Sequence, residues 1–413
     1  MASARRSIAT LIIGSGILFL GNGLLVTLLP VRAQLEGYST TIIGVMGTVF
    51  FAGFGIGCLL GPRVVMQVGH IRCFSGFAAL AAVSVLAYPL ALDPLAWCLL
   101  RGLTGLCFAV LYMILESWLN EAASNRIRGQ VLSLYIIVTN LVTIAGQLML
   151  NLYDARHFAL FSVAAVLVAL SLVPLSLTPT AAPKPVTLGA IDLRALFRVS
   201  PVGFVACLLV GLVEGAFWSL GPVFAQGRGL GIAEVTLFMS MFVVGGTLAQ
   251  WPLGRLSDRL DRRLVIAACC LGAVGTGLAI ALLPPLSMPV RLALACLHGA
   301  FMVPLYALSL AHANDFAPND RLVEVSSGLL LIYAIGAVLG PFVIAPLMEI
   351  YGLGTLFVAI AAVLGALALY SLYRTARRPL AESVERVDFV PVPKTTPSVY
   401  ALEQDDPENG TAP

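Results

Sequence analysis

"PVRAQLEG", residues 30–37, comes back 192 residues later as "PVFAQGRG", residues 222–229. The register holds well beyond the octapeptide. At the same offset Leu20 meets Leu212, Gly23 meets Gly215, Phe50 meets Phe242, Gly53 meets Gly245 and Arg63 meets Arg255. Further on the offset drifts to 194, where Leu111 and Tyr112 meet Leu305 and Tyr306, Asn120 meets Asn314 and Gly146 meets Gly340. One octapeptide could be chance, but a register kept from the first apolar run of each half to the fifth is a duplication.

What was duplicated follows from composition. Of the 413 residues 59% are hydrophobic and 11% charged, and the mean hydropathy is +0.96. Soluble domains carry about 25% charged residues. A bilayer core about 30 Å thick needs roughly 20 apolar residues per spanning helix. Such runs recur at residues 7–30, 40–61, 73–92, 95–118, 129–151, 157–177, 200–224, 233–253, 264–285, 288–313, 323–347 and 354–373. The expected fold is an all-α membrane protein with twelve transmembrane helices in two pseudo-symmetric six-helix halves. The first run follows Arg5 and Arg6, holds Asn22 well inside and lacks a small-residue cleavage site, so it is expected to be a retained helix.

All but five of the 24 basic residues lie on one side if both termini are cytoplasmic; Arg32, Arg156, Arg228 and Arg291 fall at outer loops and Arg101 within a span. The positive-inside bias selects that orientation, in a cell inner membrane. The basic residues are spread over inner loops as topology demands, so no nucleic-acid partner is implied. The eight cysteines sit in apolar runs, without C-x-x-C or histidine spacing, and read as small hydrophobes; no metal or cofactor is expected. Residues 1–177 form the first half and 199–373 the second. Residues 178–198 read as a Pro-containing, basic cytoplasmic linker, and residues 374–413, polar and Pro-rich, as a disordered cytoplasmic tail.

Six helices per half is an even number, so both halves enter from the same side and their symmetry axis runs along the membrane normal. Parallel repeats of this kind place a substrate near the midplane, between the halves. Spans three, six, nine and twelve hold no charged or amide side chain. Asn22, Arg101, Glu116, Asn140, Gln147, Glu214, Gln250 and His298 lie in six other spans. Ionisable groups are costly in hydrocarbon, so these face the interior while the four apolar spans face lipid.

The segment "GRLSDRLDRR", residues 254–263, matches the loop signature G-x-x-x-D-R-x-[GD]-R-R at each position. With the length, the six-plus-six arrangement and the central linker, it makes the chain resemble the major facilitator superfamily. "ESWLNEAASNRIRGQVLS" (116–133) and "LLLIYAIGAVLGP" (329–341) are similar to its YcaD-type bacterial branch. The resemblance implies alternating access and a gating role for Gly254, Asp258, Arg259, Arg262 and Arg263. The first-half copy, "GPRVVMQVGHIR" (61–72), keeps Gly69 near Arg63 but carries Met66 at the signature's acid, with His70 and Ile71 replacing two basic residues. A latch on the first half is then weak or differently built. Asp258, near a helix end, can accept from backbone amides at a neighbouring helix start.

"RGLTG", beginning at Arg101, matches the family pattern R-x-x-x-G of the fourth helix, where the arginine is associated with proton coupling. Phe108, Tyr112 and Glu116 share its helical face within about 60°. Arg101 could instead snorkel to the outer interface, and Glu116 could pair with Arg63 or Arg126. Glu214 lies near mid-bilayer, about 21 Å into its span at 1.5 Å per residue, and its repeat partner is Asn22. An amide in one half against a carboxyl in the other makes the duplicated site asymmetric where protonation could be coupled to movement; the alternative is an interior hydrogen bond to Asn, Gln or Ser. Trp218, His298, Tyr306 and Tyr333 are candidate cavity walls.

Gly53, Gly57 and Gly61 form a small-x-x-x-small row in span two, and Gly336 and Gly340, before Pro341, do so in span eleven. In the family these spans pack across the half–half interface, so the rows are expected there. The G-x-x-x-G-P pattern of drug antiporters is absent from span five, where only Gly146 stands.

Together these features lead us to expect a secondary transporter of a small organic solute, acting as a monomer and coupled to protons through Glu214 and Arg101. The aromatic, sparsely charged cavity favours efflux of an amphipathic compound over uptake of a metabolite. The competing reading is a non-transporting receptor or scaffold with this fold. H-E-x-x-H, G-x-S-x-G and G-x-x-x-x-G-K-[ST] are absent, so neither an enzyme nor an ATP-driven pump is expected.

Overall fold

The computed structural model of the protein describes residues 2–123, 125–177, 193–283, 286–318 and 321–377. Twelve helices long and apolar enough to cross a membrane occur among them: α1 (Ser7–Leu35), α2 (Thr40–Val68), α3 (His70–Leu90), α4 (Pro94–Ala122), α5 (Gly129–Asn151), α6 (Ala159–Ser176), α7 (Pro201–Gly227), α8 (Ile232–Arg259), α9 (Arg262–Leu282), α10 (Met288–Asn314), α11 (Glu324–Tyr351) and α12 (Thr355–Arg377). All twelve expected spans are present. Most of the linker and nearly all of the tail lie outside the described residues; a short helix, Leu193–Val199, leads into α7.

The repeated octapeptide is a helix stop. Gly37 and Gly229 both have φ of +82°, a left-handed conformation that costs glycine nothing. The bonds around them match: Gly37 N–H donates to Gln34 O and Tyr38 N–H to Ala33 O, as Gly229 N–H does to Gln226 O and Leu230 N–H to Ala225 O. Both closures follow the Schellman pattern, which satisfies carbonyls left over at a helix end.

Several helices outrun the apolar runs that announce them. α2 continues to Val68, where Gly69 (φ +89°) turns the chain directly into α3, and α8 continues to Arg259. The signature expected to be a loop is therefore helix for its first six residues and turns only at Leu260 and Asp261. Hydropathy marks where a helix leaves the bilayer, whereas the helix ends where its stop signal sits. α10 is interrupted at Val303–Pro304, because Pro304 lacks an N–H and its ring crowds the preceding turn.

Packing repeats with the sequence. α2 packs on α4 as α8 does on α10, α1 on α5 as α7 does on α11, and α3 on α6 as α9 does on α12. A Cβ at Gly53 would overlap the Gly102 carbonyl of α4; at its counterpart Gly245 it would overlap the Cys296 carbonyl of α10. Gly146 faces Leu20 and Gly340 faces Leu212 in the same way. The halves meet along α2 with α11 and α5 with α8, two equivalent seams of one interface.

The glycine rows do not lie at the half–half interface, where they are expected. Gly53, Gly57 and Gly61 face Gly102, Leu106 and Met113 of α4, and Gly336 and Gly340 face Leu208 and Leu212 of α7, all inside one half. The close approach across the halves occurs at Gly44, against Ala345 and the Pro341 carbonyl, and at Gly47, against Ser219. Gly44 and Gly53 are nine residues apart, about 180° around a helix, so one face of α2 builds its own half and the opposite face meets the other.

Candidate functional site: a cavity between the halves

A cavity of about 440 Å³ lies between the halves. Side chains from α1, α2, α4, α5, α7, α8, α10 and α11 line it; α3 contributes only His70, and none of α6, α9 or α12 reaches it among the described residues. The division of helices expected from their polar content is the one observed. On α1 to α5 the wall is largely aromatic, with Phe19 stacked on Tyr112 (centroids 4.4 Å apart) and Phe54 and Tyr135 near the same pair.

Glu214 sits in the opposite wall, 1% exposed, on a turn of α7 packed tightly on α11 at Gly211 and Gly215. The Tyr333 hydroxyl of α11 donates to its Oε2 at 2.6 Å. Its repeat partner Asn22 also lines the cavity, with Oδ1 buried and unpartnered. Trp218, one turn beyond Glu214, lines it as well.

Arg101 is 8% exposed and does not snorkel; its guanidinium stands over the Phe50 ring, 4.1 Å from the centroid, a cation–π contact within the cavity wall. Tyr112 and Glu116 line the same cavity from the same helix, as their shared face requires, while Phe108 is buried behind them. Glu116 is 1% exposed and accepts from the Tyr135 hydroxyl at 3.2 Å. Arg63 is exposed and makes no ion pair with it; the Arg126 side chain lies outside the described residues.

Two expected wall residues stand apart. His298 is fully buried inside the second half, among Phe217, Phe242 and Phe357, with Nδ1 at 3.0 Å from Thr276 Oγ1. Tyr306 is 2% exposed and lies behind the cavity wall against Tyr333, its ring 4.8 Å away. Tyr135 escaped the sequence reading, because nothing in a one-dimensional pattern ties it to an acid 19 residues earlier.

The cavity runs from mid-bundle toward the end that carries the termini, where His70, Ser117 and Ser327 line it. The other end is closed by contacts between halves. Asn140 Nδ2 donates to Thr247 Oγ1 (2.9 Å), Ser240 Oγ to Gln147 Oε1 (3.1 Å) and Asn151 Nδ2 to Thr236 Oγ1 (3.0 Å). Each step along α5 is matched by an equal step back along α8, so the three bonds form an antiparallel ladder with every amide on the first half and every hydroxyl on the second. On the other seam the Thr41 N–H donates to Glu349 Oε2 (2.9 Å) and Thr48 Oγ1 to Val338 O (3.2 Å).

At the termini end, Arg262 is 2% exposed and bridges Asp258 (3.1 Å) and Asp315 at the foot of α10 (2.9 Å), while donating to Ser257 Oγ. Asp258 is thus tied by a side-chain ion pair one turn along. Arg263 binds Asp261 (2.6 Å) and the Arg374 carbonyl of α12. Burial alone would push the Asp261 carboxyl up, but hydrogen bonds from the Arg263 side chain and amide, with its charge, outweigh that and hold it below its ordinary value. Gly254 is buried in α8; Arg259 is exposed. In the first half His70, at the repeat position of Arg262, stacks on Trp118 (5.8 Å) instead of bridging acids. The two copies have thus diverged from an ionic tie to an aromatic one.

A family model of the Major Facilitator Superfamily matches residues 11–341 and again 229–402. The chain belongs to the major facilitator superfamily. Among its relatives, the uncharacterized MFS-type transporter YE1530 of Yersinia enterocolitica is 27% identical over 385 residues, covering 92% of this chain and 97% of that one. The uncharacterized MFS-type transporter YcaD of Escherichia coli is 27% identical over 369 residues, covering 88% and 94%. The nucleoside transporter NupG shares the superfamily fold with a TM-score of 0.76 at 15% identity, covering 89% of this chain and 98% of its own. A bacterial homolog of the human lysosomal transporter Spinster, in an inward-facing and occupied conformation, does so with a TM-score of 0.70 at 15% identity, covering 91% and 97%. The resemblance read from residues 254–263 and the twelve spans is therefore correct, and the protein is a multi-pass membrane protein of a transporter family.

Proposed function

We propose that the protein moves a small organic solute across a bacterial inner membrane by alternating access, as a monomer with both termini cytoplasmic. In that orientation the cavity opens to the cytoplasm and the α5–α8 ladder closes the outside. The observation that carries the reading is the cavity itself: it is lined by both halves, is closed at one end by bonds between them, and has a buried carboxyl, Glu214, in its wall. Proton coupling runs through Glu214, which can exchange the Tyr333 hydroxyl for a proton or for solute, with Arg101 as the fixed charge at the far end of the same cavity. Asn22, Tyr112 and Trp218 contact the solute. Asp258, Arg262 and Asp315 hold the second half together at the termini end as it rocks. Export of an amphipathic compound is favoured over uptake, because the wall is aromatic and carries few fixed charges.

The test compares small-molecule levels inside cells and in medium, for cells overproducing wild type or Glu214→Gln at equal membrane abundance. A solute that redistributes with wild type and not with the variant supports the reading and gives cargo and direction together. A solute that both shift alike removes Glu214 from the mechanism. If neither shifts anything, the protein is a non-transporting member of the fold.

A further inference from the structure

Among the described residues the cavity wall carries two carboxyls, Glu116 and Glu214, and one arginine, Arg101, with Asn22, Asn140 and Gln250 as its amides. Both acids are 1% exposed, and each accepts a hydrogen bond from a tyrosine of a neighbouring helix: Glu116 from Tyr135 of α5, Glu214 from Tyr333 of α11. A carboxyl with a phenol ring beside it offers a cation both a charge and a π face, the combination that recognises quaternary and aromatic ammonium groups. The Arg101 guanidinium is engaged with the Phe50 ring.

Height along the bundle separates these charges. At 1.5 Å per residue, Glu116 lies about 9 Å from the termini end of α4 and Arg101 about 32 Å, while Glu214 lies about 20 Å from the corresponding end of α7. The acids occupy the open part of the cavity and the arginine its closed floor. They also stand on opposite halves, about 10 Å apart in height, as two successive stations for a charge moving along the path. An anion entering from the open end meets both carboxyls before it meets Arg101, and one bulky enough to fill the cavity cannot avoid them. Phe19, Phe54, Tyr112 and Trp218 supply the apolar surface for an uncharged body, and about 440 Å³ is room for a drug-sized molecule.

We infer that the cavity binds an organic monocation with a bulky apolar or aromatic body, its charge shared first, nearer the open end, between Glu116 and the Tyr135 ring and then, deeper in the cavity, between Glu214 and the Tyr333 ring. This names the substrate class for the transporter proposed above and rests on that reading of the cavity.

The probe is a pair of ions of one shape and opposite charge, tetraphenylphosphonium and tetraphenylborate, added to the full-length protein in lipid nanodiscs. Empty nanodiscs are subtracted to remove partitioning into lipid. Tetraphenylphosphonium is expected to bind wild type saturably. Loss of one buried charge partner in Glu214→Gln weakens it about tenfold, the change that 1.4 kcal/mol produces. Glu214→Asp keeps the charge and restores binding in part, which separates loss of the charge from loss of the fold. Tyr333→Phe keeps the ring and removes only the hydroxyl, so binding is retained. Tetraphenylborate shows no saturable component. The inference is overturned if tetraphenylborate binds as well as its cationic twin, or if tetraphenylphosphonium binds wild type and Glu214→Gln alike. If a neutral or anionic solute redistributes through wild type in cells while tetraphenylphosphonium fails to bind, the substrate class falls and the transporter stands. If tetraphenylphosphonium binds as described while no solute redistributes, the cation site stands and the transport reading falls.

Discussion

Gly37 and Gly229 are worth more as backbone than as residues. Nothing lies within 4 Å of where a Cβ would sit on either, so a side chain there meets only the cost of positive φ. That cost is about 1–2 kcal/mol for most L-residues and less for asparagine, which visits the left-handed region more readily. Gly229→Val is therefore expected to lower the apparent melting temperature in detergent by clearly more than Gly229→Asn. Equal losses would mean that packing, not conformation, selected the glycine. The octapeptide betrayed the duplication because both helix ends need the same closure. Other functional residues carry no such mark. Tyr135 and Tyr333 matter through what they touch, and one chain read in one dimension cannot tell a tyrosine that donates to a buried carboxyl from one that fills a gap. Glu214 and Arg101 were legible because charge in an apolar run is rare enough to demand a reason. His298 was misleading for the same cause: a polar residue in a span faces the interior, but the interior includes the core of its own half as well as the cavity.

At the scale of the helix, the α5–α8 ladder is a structure that the sequence contained and that pattern reading passed over. Asn140 and Gln147 stand out in the sequence as polar residues, but Asn151 at the end of its run does not, and the partners are threonines and a serine, which are too common in membrane helices to draw notice. Only the matched spacing on the two antiparallel helices joins them. In a state open on the other side all three bonds must break. A hydrogen bond in the membrane contributes about 0.6 kcal/mol on average, so removing three moves the balance of states by about 2 kcal/mol, or roughly thirtyfold. Replacing Asn140, Gln147 and Asn151 together by alanine is expected to lengthen the distance between spin labels on the outer ends of α5 and α8 in a large share of molecules. An unchanged distance distribution would show that packing alone holds this end closed. The spans were legible because hydropathy reports the bilayer directly. Their ends were not, because Gly69 and Leu260 stop helices outside the apolar runs, and so the signature taken for a loop proved largely helical.

For the molecule as a whole, the question is which close contacts belong to rigid units and which to the moving joint. Small residues are legible, but their partners are not: a glycine row names a face, and the fold decides what packs on it. The rows at Gly53, Gly57, Gly61, Gly336 and Gly340, expected at the joint, weld helices within a half, and Gly245 and Gly146 repeat the contacts of Gly53 and Gly340 in the other half. Gly44 and Gly47, on the opposite face of α2, meet Ala345, Pro341 and Ser219 of the other half. The two classes should respond differently to the same methyl group. A Cβ at Gly53 runs into the Gly102 backbone, which cannot yield without separating α2 from α4, so Gly53→Ala and its counterpart Gly245→Ala are expected to lower folded yield and melting temperature. A Cβ at Gly44 is relieved simply by parting the halves at that end, because the clash exists only while the joint is closed. Gly44→Ala should therefore fold with near wild-type yield and melt within a few degrees of it, yet label rapidly at a cysteine placed in the outer part of the cavity, where wild type labels slowly. If Gly44→Ala and Gly53→Ala lose stability alike and neither changes labelling, the halves are not separate rigid bodies, and a rocking mechanism loses its structural basis.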